Sequence, residues 1–200
     1  MDEEDDALEE RLGPEIPANA RPKAGDYGFD LEETLNSVLS IRTHIPDDAF
    51  TADTLGTERG GNAALINSDG LIVTIGYLIT EAETIWLFDT QGRAVPGHVV
   101  GYDQETGFGL VQALQKLDIP PFELGSSDSL RAGDPVILAG CGGVEHAVAA
   151  EVVSRREFAG YWEYMLDNAI FTAPPHPLWG GSALIGSDGT LRGIGSLYVQ

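Results

Sequence analysis

Twice in this chain an apolar run meets a Ser-Asp-Gly turn and a second apolar run follows. The first instance is Ala63 to Ile66, Asn67-Ser68-Asp69-Gly70 and Leu71 to Thr74; the second is Ala183 to Ile185, Gly186-Ser187-Asp188-Gly189 and Leu191 to Ile194. Each reads as strand, tight turn, strand, since an Asp-Gly pair favours the turn backbone and the flanking runs have strand length. The second hairpin is preceded by Gly180-Gly181, which marks backbone that takes positive φ or approaches something closely. The Pro174-Pro175-His176-Pro177 run before it forbids helix.

The same punctuation runs through the rest of the chain. Its 25 glycines and 11 prolines lie between short apolar runs, which favours many turns and short strands over helices. An all-β architecture follows. Two hundred residues at 42% hydrophobic content suffice for a real core in one domain or two small ones. The net charge of −21 argues against nucleic-acid backbones and anionic membrane surfaces as partners, because both would be repelled. A lone cysteine, Cys141, has no internal disulfide partner and fits a reducing compartment. The N-terminus shows neither a basic nor an apolar signal region, and no apolar run reaches bilayer length. The expectation is a cytoplasmic protein, or an extracytoplasmic one if a leader has been removed.

From Met1 to Asp30 the chain is acidic and broken by Pro14, Pro17 and Pro22, with a helical turn or two available only at Ala7 to Leu12. Residues 1–30 read as a solvated, disordered tail, since blocks of like charge resist packing. Leu31, Leu35, Val38 and Leu39 then recur at helical spacing behind Asp30, a candidate N-cap, and predict a short helix feeding the first strand. Pro46 to Glu58 reads as a polar loop, and Ile85 to Phe88 and Ala94 to Val100 as two strands around a Thr-Gln-Gly-Arg turn.

The loop Trp179-Gly180-Gly181-Ser182-Ala183-Leu184 with its hairpin resembles the nucleophile loop of trypsin-like serine peptidases, most strongly of the HtrA branch. Gly60 to Thr74 resembles the opening of that family's first barrel. Leu124-Gly125-Ser126-Ser127-Asp128-Ser129-Leu130-Arg131-Ala132-Gly133-Asp134 is similar to its inter-barrel connection almost residue for residue. The resemblance, from Val38 to the end, implies two six-stranded Greek-key β-barrels, at about residues 38–118 and 119–200, with the short helix and acidic tail ahead of them. It also implies a catalytic triad, and the matching positions hold none. The nucleophile position falls on Gly180, the base position on Tyr77 and the carboxylate position on Gly107. A phenol with a pKa near 10 is no general base at neutral pH. Leu178 stands where active relatives place the glycine that aims a backbone N–H at the oxyanion, and leucine resists φ > 0.

Two rescues are open on paper: a Cys141–His146 pair, and a displaced triad of His176, Asp167 and Ser182. His44, His98, His146 and His176 lack metal-ligand spacing and read as surface or turn residues. Asp103 reads as a turn residue. No cofactor or metal is expected. Tyr77, Leu178 and Trp179, beside Ser182, put apolar surface where a cleft would lie, so the cleft is either plugged or reused as a peptide groove. Three function classes result. They are a catalytically inactive homologue acting on a protein or peptide partner as scaffold or regulator, an active HtrA-like endopeptidase with a displaced triad, and a structural homo-oligomer subunit.

Overall fold

The structure, a computed structural model, describes residues 13–160 and 165–199. Six strands close a first barrel: β1 (Val38–His44), β2 (Glu58–Leu65), β3 (Leu71–Ile75), β4 (Thr84–Phe88), β5 (Ala94–Tyr102) and β6 (Phe108–Ala113). Their order is β1-β2-β3-β6-β5-β4, with β4 pairing back to β1. The second unit comprises β7 (Pro135–Ala139), β8 (Ala147–Ala159), β9 (Met165–Ala173), β10 (Ala183–Ile185) and β11 (Leu191–Ile194). These form a five-stranded curled sheet in the order β11-β10-β7-β8-β9. All ladders are antiparallel. The trypsin-like fold expected from the sequence is the one observed. Among the described residues its second half has five strands in an open sheet, where a closed six-stranded barrel was expected.

Both Ser-Asp-Gly hairpins form as read. Asn67 Oδ1 accepts from the Asp69 and Leu71 N–H groups in the β2–β3 turn, and Asp188 Oδ1 accepts from Thr190 in the β10–β11 turn. Side chains that bond their own backbone two residues on hold such turns without help from the core. Asp30 caps α1 (Leu31–Leu35), accepting from Glu33 N at 3.0 Å, so the helix ends before Val38 and Leu39, which join β1. The loop after β1 contains a single helical turn, α2 (Ala52–Leu55), that polarity alone did not reveal.

Strand alternation divides the apolar residues between two cores. Leu39, Ile41, Ala63 and Leu65 fill the barrel with Ile72, Ile75, Leu87 and Val111. Val38 and Ala64, on the opposite faces of β1 and β2, pack instead with Ile137, Ala139, Ala183 and Ile185 of the second sheet. Burying one such aliphatic side chain stabilises by about 1.5–3 kcal/mol. The two units therefore share an apolar seam along β1 and β2, and the candidate site lies across it.

A third cluster overturns part of the tail expectation. Ile16 is 3% exposed and packs with Leu130, Val136, Leu138 and Val148. Its N–H donates to the Glu145 carbonyl and Ala149 N–H donates to the Ala20 carbonyl, both at 2.8 Å. From residue 13 onward the segment is a strap on the second sheet, because its prolines exclude helix but not extended docking. The acidic start, including the Ala7 to Leu12 turn, lies outside the described residues.

Candidate active-site cleft

The site loop, residues 176–182, is held from three sides by its own backbone and by Asn62. The Asn62 N–H donates to the Gly180 carbonyl at 2.8 Å, its Nδ2 donates to the Leu178 carbonyl at 2.9 Å, and its Oδ1 accepts from Cys141 N at 3.0 Å. The Asn62 carbonyl accepts from Thr74 Oγ1 at 2.7 Å. One fully buried asparagine on β2 thus fixes the loop against the barrel and against the 140 turn. Gly181, at φ +75°, follows from this: a Cβ there would lie 1.8 Å from the Asn62 carbonyl oxygen. The signal for Asn62 was a lone polar residue within the small-residue strand Gly60-Gly61-Asn62-Ala63-Ala64, and it was passed over.

Two of the positions singled out in the sequence, Tyr77 and Gly180, stand side by side. A Cβ built on Gly180 would sit 2.7 Å from the Tyr77 hydroxyl, so Tyr77 fills the space beside the loop where a side chain at 180 would project. That hydroxyl donates to the Ser196 carbonyl at 2.9 Å. Gly107 lies behind Tyr77, its carbonyl accepting from Gly76 N at 2.7 Å, at φ +80°. Asp103 is the turn residue expected of it: its carboxylate accepts from Glu105 N and Thr106 Oγ1, and the Thr106 hydroxyl foremost holds its pKa below the usual value.

Leu178 is half-buried, and its N–H donates to His176 Nδ1 at 3.1 Å. His176 Nε2 lies 2.9 Å from the His146 carbonyl. Its Nδ1 also lies 2.9 Å from the Leu178 carbonyl oxygen, and burial foremost lowers the His176 pKa against the two carbonyl contacts. His176, 2% exposed, and His146, 7% exposed, are therefore not the surface histidines the sequence suggested; glycines at 140 and 142 leave the room their rings occupy. His44 is exposed beside Glu58, whose carboxylate raises its pKa, and His98 is exposed on β5.

The residues of the two rescues sit as follows. Both His176 nitrogens face backbone groups of residues 146 and 178, while Asp167 is exposed on β9. Ser182 is 1% exposed, and a Cβ on Gly195 would lie 2.2 Å from its Oγ, so the hydroxyl is buried beside the 195 backbone. Cys141 is fully buried. Among the described residues no group of three or more His, Cys, Asp or Glu side chains is placed to hold a metal, and no helix is long and apolar enough to cross a membrane.

Apolar surface remains at the cleft edge. Trp179 is 40% exposed and its ring lies 5.7 Å from that of Tyr198, next to exposed Leu197 and Val199. Sequence reasoning missed Ser196 and Tyr198, because nothing in the last residues marks them as returning to the site. It also missed Arg59, buried behind Tyr77, whose guanidinium donates to the carbonyls of Gly56, Tyr77 and Thr80.

Residues 61–194 match the trypsin-like peptidase domain. The chain belongs to that family, in its HtrA branch. It is 28% identical to the rat serine protease HTR4 over 70% of its own length and 30% of that protein's. It is 26% identical to the Escherichia coli periplasmic pH-dependent serine endoprotease DegQ, over 84% of this chain and 41% of DegQ. The chain therefore spans less than half the length of either relative. Among solved structures, the HtrA-type protease AlgW with a tripeptide superposes with a TM-score of 0.66 at 21% identity, covering 86% of this chain and 54% of AlgW. That likeness concerns the fold.

Proposed function

We propose that this HtrA-like domain performs no peptide hydrolysis and acts by binding a protein or peptide segment at the cleft edge, as a scaffold or regulator. The observation that carries the reading is the Tyr77 hydroxyl, which stands against Gly180 and bonds the Ser196 carbonyl where acyl transfer needs a nucleophile beside an imidazole. Gly107 supplies no carboxylate. The Leu178 N–H, which the family resemblance assigns to the oxyanion, is turned to His176. The centre of the cleft is plugged by Tyr77, and its rim is open. A bound segment lies along that rim and seats an apolar side chain against Trp179 and Tyr198. AlgW, a neighbour in fold, was solved with a tripeptide, which agrees with a peptide as the ligand class.

Binders selected from a random peptide library on the wild-type protein test this directly. Trp179→Ala is expected to weaken them at least tenfold, about 1.4 kcal/mol, while the melting temperature holds, because the ring is surface and not core. Binders indifferent to Trp179 place the interaction elsewhere and sink the rim assignment.

A further inference from the structure

A cavity of about 370 Å³ lies between the 50–55 loop and the 102–107 turn, with Tyr77 in its wall. Its size is that of a small-ligand pocket. Gly76 and Gly107 contribute no side chain to its lining, and a carboxylate prop holds the 50–55 loop at its side. The prop is Glu81, at φ +62°, whose carboxylate accepts from the N–H groups of Phe50 and Thr51 and from Thr51 Oγ1. A non-glycine residue at that φ is held only where its surroundings over-determine it.

The wall chemistry is specific. Phe50, Tyr77 and Tyr102 contribute aromatic rings and Leu55 an aliphatic surface, while the charged residues lining it are Glu81 and Asp103. Phe50 is 93% exposed and Tyr102 is 50% exposed, so two of the rings stand open at the mouth. The nearby guanidinium of Arg59 is turned into the wall, bonding the carbonyls of Tyr77 and Thr80 and the Thr51 hydroxyl. Aromatic faces attract cations through their quadrupole, and the Asp103 carboxylate adds to that field, while the Glu81 charge is partly offset by Arg59. The chain as a whole carries −21, which draws basic segments toward it.

We infer that this cavity receives a basic side chain on an apolar stem, an arginine or a lysine, presented by a peptide segment of a binding partner. The stem lies along Leu55 and Tyr77, and the cationic head sits between Phe50 and Tyr102 within reach of Asp103. The site is separate from the Trp179 rim and does not depend on the cleft being inactive, so either proposal can fail alone.

The test is titration of isotope-labelled protein with acetyl-Gly-Arg-Gly-amide, followed by amide shifts, beside the same peptide carrying citrulline, a neutral isostere. The expected result is saturable shifts confined to residues 50–55, 76–81 and 102–107, with the citrulline peptide at least tenfold weaker. Phe50→Ala and Asp103→Asn should each weaken the arginine peptide at least fivefold, and Trp179→Ala should leave it unchanged. Phe50 is nearly all solvent-exposed, so its removal leaves the fold intact. Equal binding of citrulline, shifts centred on residues 178–182, or no saturable shift would overturn the inference. Arginine amide binding as tightly as the peptide would overturn the assignment to a peptide segment.

Discussion

Asn62 has no exposed surface, and its backbone and side chain together serve Thr74 within the barrel and three partners across the seam to the second unit. Asn62→Ala strips the side-chain partners from the Leu178 carbonyl and the Cys141 N–H, at about 1–3 kcal/mol for each buried group. A loss of roughly 2–5 kcal/mol in urea unfolding is expected, and a loss under 1 kcal/mol would show that the loop relaxes without it. His176 adds a dependence on pH. Its folded-state pKa is lowered by burial from 6.5, so below that value the unfolded chain binds the extra proton and stability falls as pH drops. One proton contributes a slope of at most about 1.4 kcal/mol per pH unit. Between pH 7.5 and 5.5 the wild type should lose stability more steeply than His176→Gln, and parallel curves would show a ring that titrates alike in the folded and the unfolded chain. His44 acts in the opposite sense through its exposed pair with Glu58, and solvent screening keeps that contribution small.

The elements that position the site were legible where local chemistry decides them. Both hairpins, the Asp30 cap and the Asp103 turn follow from short-range side-chain bonds, and the sequence carries those bonds openly. The proximity of Tyr77 to Gly180 was readable as spacing against a family pattern. What was not legible depends on contacts between distant segments. Arg59 reads as one more surface cation until the loops 50–56 and 77–80 close over it, and Ile16 reads as tail until Glu145 and Ala149 pair with its segment. Arg59→Met tests the first of these. The guanidinium is desolvated, which lowers its pKa while leaving it charged, and it holds three backbone carbonyls. Its loss should cost about 3 kcal/mol and speed amide exchange in residues 50–56 and 76–82 above all. Uniformly faster exchange would mean that Arg59 supports the whole barrel and not this pair of loops.

Across the whole molecule, two apolar cores and an ordered strap frame the loop that carries Gly180 and the Tyr77 beside it. Val38 and Ala64 tie barrel to sheet, the strap from residue 13 covers the outer core, and antiparallel ladders run through both units with bulges in the β5–β6, β8–β9 and β10–β11 pairs. Membership of the trypsin-like family fixes this architecture but not its chemistry, since function resides in the site. The decisive measurement is labelling of the purified protein with a fluorophosphonate serine probe beside a casein cleavage assay, with Ser182→Ala as the control. Tyr77, Gly107 and Gly180 predict no labelling and no cleavage in either protein. Labelling and cleavage that disappear in Ser182→Ala would contradict this, and would mean that the loop opens to bring Ser182 beside a base.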